Sequence, residues 1–331
     1  MLLTSRTPLR VSFFGGGTDY PEYFRRARGA VIGMAIDKYV YVAALRLANV
    51  VDYRYRLSYA RIETVQACDD IQHPVIRAAI RHYAVKEPLD ISIMADMPAK
   101  SGLGSSSSFT VGFLNLVAAL QQRRVTKLDL AREAVFVERE LLGENVGVQD
   151  QYHATFGGLN RFDFEGTRTR ITPVQMTAPC LAALTASLFL VYTGVTRFAS
   201  ATLDEQMQRT RSHAADRDLS HLLALTDQAV DALEGADPDA MLAAFGAMLH
   251  EGWETKKRLS SKVSSPEIDA LYDAARAAGA LGGKLCGAGS GGFLLMLVPP
   301  QRRAGFLAAL APRTAVIPVG LDTQGSIILT G

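Results

Sequence analysis

The segment PAKSGLGSSSS, residues 98–108, combines residue types that could bind an anion. Gly102 and Gly104 allow sharp turns that bring backbone N–H groups together, and four serines follow at 105–108. The next residues, FTVGFLNLVAALQQ, are apolar at helical spacing, so the serines stand where a helix begins. Free N–H groups and the positive end of the helix dipole would then face one anion, such as a phosphate. An ordinary N-cap with a chain reversal is the alternative interpretation.

The two common nucleotide-binding signatures do not account for this loop. A P-loop requires Gly-Lys followed by Ser or Thr, whereas Lys100 precedes the glycines. A dinucleotide-type spacing occurs at Gly287, Gly289 and Gly292, between a predicted helix (267–279) and a predicted strand, FLLMLV. The Rossmann fingerprint requires the opposite order, a strand and then a helix, so the sequence excludes that fold.

Composition restricts the classes of partner. The chain has 331 residues, 48% hydrophobic and 21% charged, which is typical of a soluble globular protein long enough for two domains. A formal net charge of +2 provides no broad basic surface for nucleic acid or for an anionic membrane, so we expect a small-molecule partner. Three widely spaced cysteines (Cys68, Cys180, Cys286) and the lack of an apolar run near ~20 residues predict a cytoplasmic protein. The histidines show no metal-binding spacing.

The residue patterns predict an α+β fold. In DYRYRLSYA, tyrosine and leucine alternate with arginine and serine, which indicates a strand with one buried face. Strands that follow one another in the first half favour antiparallel pairing. The other predicted strands are PLRVSFF, AVIGMAI, KYVYVAAL, DISIMAD, GGLNRFDF and SLFLVYTG, with two more after a late helix. The predicted helices cover about 73–84, 106–122, 127–142 and a long polar region of about 197–234, with two more before Gly279.

Three glycine-rich stretches together resemble one family. They are TPLRVSFFGGGTDY (7–20), PAKSGLGSSSS (98–108) and KLCGAGSGGF (284–293). In this order and at these spacings they resemble the GHMP small-molecule kinases, which include galactokinase, homoserine kinase and mevalonate kinase. The resemblance implies a two-domain fold, with an N-terminal ATP-binding domain (1–175) like domain 2 of ribosomal protein S5 and a ferredoxin-like C-terminal domain (176–331). It also implies ATP as the phosphoryl donor, Mg²⁺, and a sugar, amino acid or isoprenoid alcohol as the acceptor.

The resemblance supplies candidate catalytic residues. In GVQDQYHATFGG, Asp150 stands where sugar kinases of the family have their catalytic base, and Arg10 stands where they place an arginine beside it. Opposite charge would keep that carboxylate ionised. A surface N-cap for Asp150 and a strand-face ion pair for Arg10 are the alternatives.

A thin magnesium site is also implied. Glu138 resembles the family's magnesium carboxylate, and Ser106 resembles its hydroxyl partner. One or two protein oxygens suffice for magnesium, because phosphates and water complete its coordination. Glu140 and Glu144 remain alternatives to Glu138.

The remaining site residues follow from the same three stretches. For ATP they are Lys100, Ser101, Gly102, Leu103, Gly104, Ser105, Ser106, Ser107, Gly287 and Gly289. For the acceptor they are Gly15, Gly16, Gly17, Asp19, Tyr20, Gly147, Gln149, Arg197, Lys256 and Gly289.

The acceptor segment departs from galactokinases at two positions. Asp19 keeps the sugar-binding aspartate, but Gly16 and Gly17 replace the acidic and imidazole side chains that border galactose. Loss of the acid removes a repulsion against an anionic substituent. Arg197, Lys256 and Lys257 are cations able to hold a phosphate. Solvated helix-surface charges are the alternative.

Within the family, GGGTDYPEYF with QDQYHATFGGLNRFDF, TGVTR and GWETKK resembles most closely the D-glycero-D-manno-heptose 7-phosphate kinases. This resemblance implies phosphorylation of the anomeric hydroxyl to the 1,7-bisphosphate, for nucleotide-activated heptose and surface polysaccharide. Another sugar 1-kinase, of the fucose or galactose type, or a catalytically silent sugar or nucleotide sensor are the alternatives. The sequence leaves the formation of a homo-oligomer open.

Overall fold

The computed structural model describes residues 2–48, 50–195 and 200–330 of the chain. The strands are β1 (Leu2–Phe14), β2 (Gly29–Arg46), β3 (Tyr55–Ser58), β4 (Ile62–Val65), β5 (Leu89–Ala95), β6 (Leu159–Glu165), β7 (Arg168–Pro173), β8 (Leu188–Tyr192), β9 (Gly282–Leu285), β10 (Phe293–Leu297), β11 (Val316–Pro318) and β12 (Ile327–Thr330). The helices are α1 (Pro21–Phe24), α2 (Pro74–His82), α3 (Ser105–Leu120), α4 (Lys127–Phe136), α5 (Gln149–Phe156), α6 (Ala178–Ala186), α7 (Ser200–Arg211), α8 (Asp216–Leu233), α9 (Pro238–Lys257), α10 (Pro266–Ala277) and α11 (Arg303–Leu310).

The larger sheet contains eight strands of the described chain, in the order β12-β1-β2-β5-β3-β4, with the β6–β7 hairpin also paired to β2. Its pairs are antiparallel except β3 with β5, as the succession of strands predicts. The predicted strands AVIGMAI and KYVYVAAL form one strand, β2. Its register with β1 shifts between Pro8 and Leu9, which interrupts the alternation and makes one strand resemble two.

The smaller sheet, with the order β11-β8-β10-β9 among the described residues, is antiparallel throughout. Its core contains the fully buried Trp253, Phe189 and Phe306. The sheets and helices confirm the α+β class. A strand precedes the third glycine-rich stretch and another strand follows it, so the exclusion of a strand-then-helix dinucleotide fold holds.

Several elements differ from their sequence-based predictions. The polar helical region predicted over about 197–234 consists, where the structure describes it, of the two helices α7 and α8. The predicted helix 127–142 leaves α-helical geometry after Phe136 and continues as a π-helical turn, Val137–Leu141. Strand β9 was missed because glycine at two of its four positions hides the strand pattern.

The chain end returns to the first sheet, because β12 pairs with β1 through Leu3 and Thr330. The division of the chain near residue 175 stays a prediction. Among the described residues, no helix has both the length and the apolar character needed to cross a membrane.

Candidate active site

A cavity of about 310 Å³ lies where the three glycine-rich stretches meet. The first comprises the end of β1 and the turn after it, the second leads into α3, and the third joins β9 to β10. The predicted site residues that line it are Arg10, Gly16, Gly17, Asp19, Tyr20, Lys100, Gly102, Gly104, Ser105, Ser106, Gly147, Gln149, Asp150, Lys256, Gly287 and Gly289.

The second and third stretches touch through their backbones. Gly102 has φ +79°, and a Cβ there would lie 2.5 Å from the carbonyl oxygen of Cys286. Gly287 has φ +67°, and its Cβ would lie 2.7 Å from the Cα of Gly102. Gly104, the N-cap of α3, also has positive φ and offers no side chain to the first turn. The loop therefore presents backbone to the cavity, as a phosphate cradle requires.

A bidentate ion pair joins the two predicted catalytic residues. Nε and Nη2 of Arg10 donate to the two carboxylate oxygens of Asp150, each at 2.7 Å. Nη1 of Arg10 donates to the carbonyl oxygen of Gly102 at 2.6 Å. Asp150 lies in the first turn of α5, and its side chain is 24% exposed against 6% for Arg10. The carboxylate is thus fixed in orientation yet open to the cavity, rather than a surface N-cap.

Asp19 is buried beside this pair. Its carboxylate accepts hydrogen bonds from the Gly17 N–H at 2.9 Å and from Nε2 of Gln149 at 3.0 Å. Burial raises the pKa of Asp19, and the negative charge of Asp150 acts in the same direction. A Cβ at Gly147 would lie 2.0 Å from Oδ2 of Asp19, so glycine makes room for this carboxylate.

The two neighbouring lysines of α9 have different environments. Nζ of Lys256 donates to the carbonyl oxygens of Leu285 at 3.0 Å and Gly287 at 2.5 Å. Lys257 pairs with Glu254 at 2.8 Å and does not line the cavity, which fits the alternative of a helix-surface charge rather than a phosphate ligand. Its place on the helix directs it away from the cavity. Arg197 lies outside the described residues.

Lys284 is a lining residue that sequence reasoning missed. It belongs to KLCGAGSGGF, and its Nζ donates to the carbonyl oxygen of Phe13 at 3.0 Å. Burial lowers the pKa of Lys284 to about 8. A lysine within a glycine-rich, apolar strand was the available signal.

The proposed magnesium carboxylate lies behind the cavity wall. Glu138 is 1% exposed, and its Oε2 accepts hydrogen bonds from Ser107 at 2.9 Å and from Gln151. Its Oε1 has no hydrogen-bond partner among the described residues. The hydroxyl that contacts Glu138 is that of Ser107, whereas Ser106 faces the cavity. The helical step between adjacent residues separates the two serines.

These residues fit a hard cation. A buried carboxylate with one unpartnered oxygen, near serine hydroxyls at a helix start, supplies the oxygen ligands that magnesium prefers. Burial raises the pKa of Glu138 to about 7, which a bound cation would oppose. Glu140 is exposed, while the N–H of Glu144 donates to the Glu138 carbonyl at 2.9 Å. The part of the chain that the structure describes holds no cluster of three acidic, histidine or cysteine groups suited to a metal.

Some predicted residues support the cavity without lining it. Ser101 and Leu103 are buried, and a Cβ at Gly15 would lie 1.8 Å from the Ala30 carbonyl oxygen. Other lining residues were not predicted. Leu203, Gln206 and Leu259 were missed because α7 and the end of α9 approach only in the folded chain, whereas several others lie within the glycine-rich stretches themselves. The unpredicted lining residues include Ser12, Val146, Leu203, Gln206, Leu259, Cys286, Ala288 and Gly291.

Comparisons show that the chain is similar to known kinases. Residues 71–158 match the family model of the GHMP kinases N terminal domain, and residues 239–313 match that of the GHMP kinases C terminal region. The D-glycero-alpha-D-manno-heptose 7-phosphate kinase of Campylobacter jejuni is 30% identical over 93% of this chain and 93% of its own. The galactokinase of Pyrococcus furiosus is 26% identical over 91% of this chain and 90% of its own.

A solved structure agrees along the whole chain. The D-glycero-D-manno-heptose 1-phosphate kinase from Bacteroides thetaiotaomicron superposes with a TM-score of 0.75 at 25% identity. The superposition covers 100% of this chain and 99% of the other.

Proposed function

This chain belongs to the GHMP kinase family, and from that premise we propose that it phosphorylates the anomeric hydroxyl of D-glycero-D-manno-heptose 7-phosphate. Kinases of this family take the phosphoryl group from ATP, and the similar proteins support a sugar kinase. The product would be the 1,7-bisphosphate, an early intermediate for nucleotide-activated heptose and surface polysaccharide.

The observation that carries the proposal is the Arg10–Asp150 pair. Arg10 holds both oxygens of Asp150 and, through Nη1, the Gly102 carbonyl of the phosphate loop. The carboxylate and the loop are therefore tied to one guanidinium. In-line transfer needs this relation, because the acceptor oxygen must stand between its base and the γ-phosphorus.

During the transfer, the acceptor hydroxyl loses its proton and gains the phosphoryl group. The acceptor hydroxyl gives its proton to a carboxylate oxygen of Asp150 while its oxygen bonds to the γ-phosphorus. The bond from that phosphorus to the bridging oxygen breaks, and ADP leaves. Arg10 keeps the carboxylate oriented before transfer through its two hydrogen bonds.

The nucleotide would lie on the backbone of the second and third glycine-rich stretches. The first residues of α3 and the backbone of Gly102, Gly104 and Gly287 line the cavity, and such a helix start with a glycine loop suits phosphates. Glu138, with Ser106 or Ser107, would hold magnesium, which neutralises phosphate charge when bound.

Cavity charge supports a phosphorylated acceptor. Among the described residues, the basic side chains that line it are Arg10, Lys100, Lys256 and Lys284, against the carboxylates Asp19 and Asp150. The excess of cations suits two anionic substrates. Arg197 remains a proposed phosphate ligand on the sequence resemblance alone.

A second acceptor is favoured by one comparison. The solved Bacteroides thetaiotaomicron protein is named a heptose 1-phosphate kinase, so the site of phosphorylation must be tested as well as the sugar. The similarity to a galactokinase keeps a galactose-type 1-kinase as a candidate.

Release of ADP from ATP and Mg²⁺ should be measured with heptose 7-phosphate, heptose 1-phosphate, free heptose, galactose and fucose. We expect the highest kcat/KM for heptose 7-phosphate, with the new phosphate on the anomeric carbon by phosphorus NMR. Equal turnover of a free sugar would identify another sugar 1-kinase. Binding without turnover of any member would identify a sensor.

A further inference from the structure

Two lysines are buried at the cavity without a carboxylate partner. Lys256 is 9% exposed and Lys284 is 8% exposed. Within the described residues, their recorded hydrogen bonds go to backbone carbonyl oxygens, and neither side chain forms an ion pair. Burying an ammonium group without a counter-charge is costly, so such groups usually meet an anion in the working protein.

The two ammonium groups differ in the number of N–H donors that remain available for a ligand. An ammonium has three N–H donors. Lys256 uses its hydrogen bonds to hold Leu285 and Gly287 of the third glycine-rich stretch. Lys256 therefore keeps one donor, whereas Lys284 donates one hydrogen bond within the described residues, to Phe13, and keeps two donors for a ligand in the cavity it lines.

The hydroxyl of Ser12 lies close to this hydrogen bond in the sequence. Ser12 precedes Phe13 and also lines the cavity. Its Oγ is buried and has no hydrogen-bond partner among the described residues. Lys284 and Ser12 thus offer an ammonium and a hydroxyl from two different sheets, which are donors that suit phosphate oxygens.

The other charged groups near Lys284 form their hydrogen bonds elsewhere, while the negative charge of Asp19 acts on Lys284 through space. Arg10 is held by Asp150, Asp19 by Gly17 and Gln149, and burial raises the pKa of the Cys286 thiol, which favours its neutral form. In the proposed function, the nucleotide phosphates would bind to the backbone of the second glycine-rich stretch. Lys284 instead contacts the end of β1, immediately before the GGGTDY segment that carries Asp19.

We propose that Lys284, together with the Ser12 hydroxyl, binds the phosphate group carried by the sugar acceptor. This inference rests on the proposed function, because it assumes a phosphorylated acceptor. It assigns selectivity for that phosphate to a residue outside the predicted substrate set. It also explains why a lysine lies in a glycine-rich strand that otherwise only packs.

The test compares two variants. Lys284→Met keeps the approximate length of the side chain and removes its charge, and Lys257→Met is the control at a lysine outside the cavity. Binding of heptose 7-phosphate and of free heptose should be measured by calorimetry with the nucleotide site filled by a non-hydrolysable ATP analogue and Mg²⁺. We expect Lys284→Met to weaken heptose 7-phosphate about tenfold or more and free heptose less than twofold. Lys257→Met should match the wild type for both.

Binding of inorganic phosphate tests the role of Lys284 independently of the identity of the sugar acceptor. With the analogue bound, phosphate should raise the melting temperature of the wild type and of Lys257→Met but not of Lys284→Met. If only free sugars are phosphorylated while phosphate binding still requires Lys284, the heptose 7-phosphate assignment fails and the anion site stands.

Three results would overturn the inference. They are equal phosphate binding by Lys284→Met and the wild type, equal losses for heptose 7-phosphate and free heptose, and a tenfold loss of ATP affinity. The second would indicate a lysine that only ties β9 to β1, and the third a ligand of the nucleotide. Ser12→Ala is the milder variant should Lys284→Met fail to fold, and it should weaken heptose 7-phosphate selectively.

Discussion

The two ends of the cavity are built from different materials. The proposed nucleotide end is backbone: Gly102, Gly104 and Gly287, with positive φ, bring two loops into contact. The proposed acceptor end consists of side chains such as Asp19, Asp150 and Lys284 from separate elements. A phosphate cradle therefore depends on the backbone conformation of a short segment, whereas selectivity for a sugar depends on side chains that folding brings together from distant segments.

The two ends also handle charge differently. Backbone N–H groups can stabilise an anion without burying a full charge. At the acceptor end, Arg10 and Asp150 neutralise each other, whereas the hydrogen-bond partner of Lys284 among the described residues is a neutral carbonyl oxygen, and Asp19 acts on Lys284 only through space. The acceptor end therefore carries an electrostatic cost that a substrate anion would relieve.

The largest expected effect is at the acceptor end. Asp150→Asn keeps the shape of the side chain and removes the proton acceptor, so kcat should fall roughly 100-fold or more. Affinities for ATP and sugar, measured by calorimetry, should change little. A near-native kcat would show that Asp150 is not the base.

The matching change at the nucleotide end is Gly102→Ala. The new Cβ would clash with the Cys286 carbonyl oxygen at 2.5 Å, so the loops must separate. We expect ATP affinity to fall about tenfold, as strain of about 1–3 kcal/mol permits. Gly143→Ala is the control, because Gly143 also has positive φ (+69°) but nothing lies within 4 Å of its Cβ position. Equal effects of the two variants would mean that contact between the loops is unimportant.

A smaller effect is expected from a change at Glu138, which lies behind the cavity wall. Glu138→Gln should raise the magnesium concentration for half-maximal rate several-fold, since a charged oxygen ligand is lost. Titration of the rate with Mg²⁺ measures this. Glu140→Gln, on the exposed side of the same turn, should leave the dependence unchanged. The reverse pattern would move the metal ligand to Glu140.

The smallest effect concerns stability. The pKa of Lys284 is about 8 in the folded chain against an ordinary value of 10.5, so between these pH values the unfolded chain binds more protons. The free energy of unfolding should therefore rise with pH in this window. Between pH 7.5 and 9.5, the wild type should gain on the order of 1 kcal/mol over Lys284→Met in urea unfolding. Parallel pH curves would show that Lys284 does not titrate there. The difference between the curves includes the response of Lys256 and Cys286, because the charge of Lys284 lowers the pKa of both groups.

Much of the fold could be predicted from local pattern. Helices α2 and α3 lie where apolar spacing placed them, and Tyr55 and Leu57 point inward from β3 as the alternation indicates. The predicted strand 52–60 shortens to Tyr55–Ser58, and α7 separates from α8, because element ends depend on packing against neighbours.

The sequence by itself determined the family, the glycine loops and the pairing of Arg10 with Asp150, because these follow from motifs with their own local geometry or family position. Only the tertiary structure decided that Ser107 rather than Ser106 contacts Glu138, and that Lys284 enters the cavity while Lys257 does not. A side chain's neighbours depend on which face of its element is covered by residues far away in the chain. For Lys284 that neighbour is Phe13, 271 positions earlier, and local pattern carries no record of it.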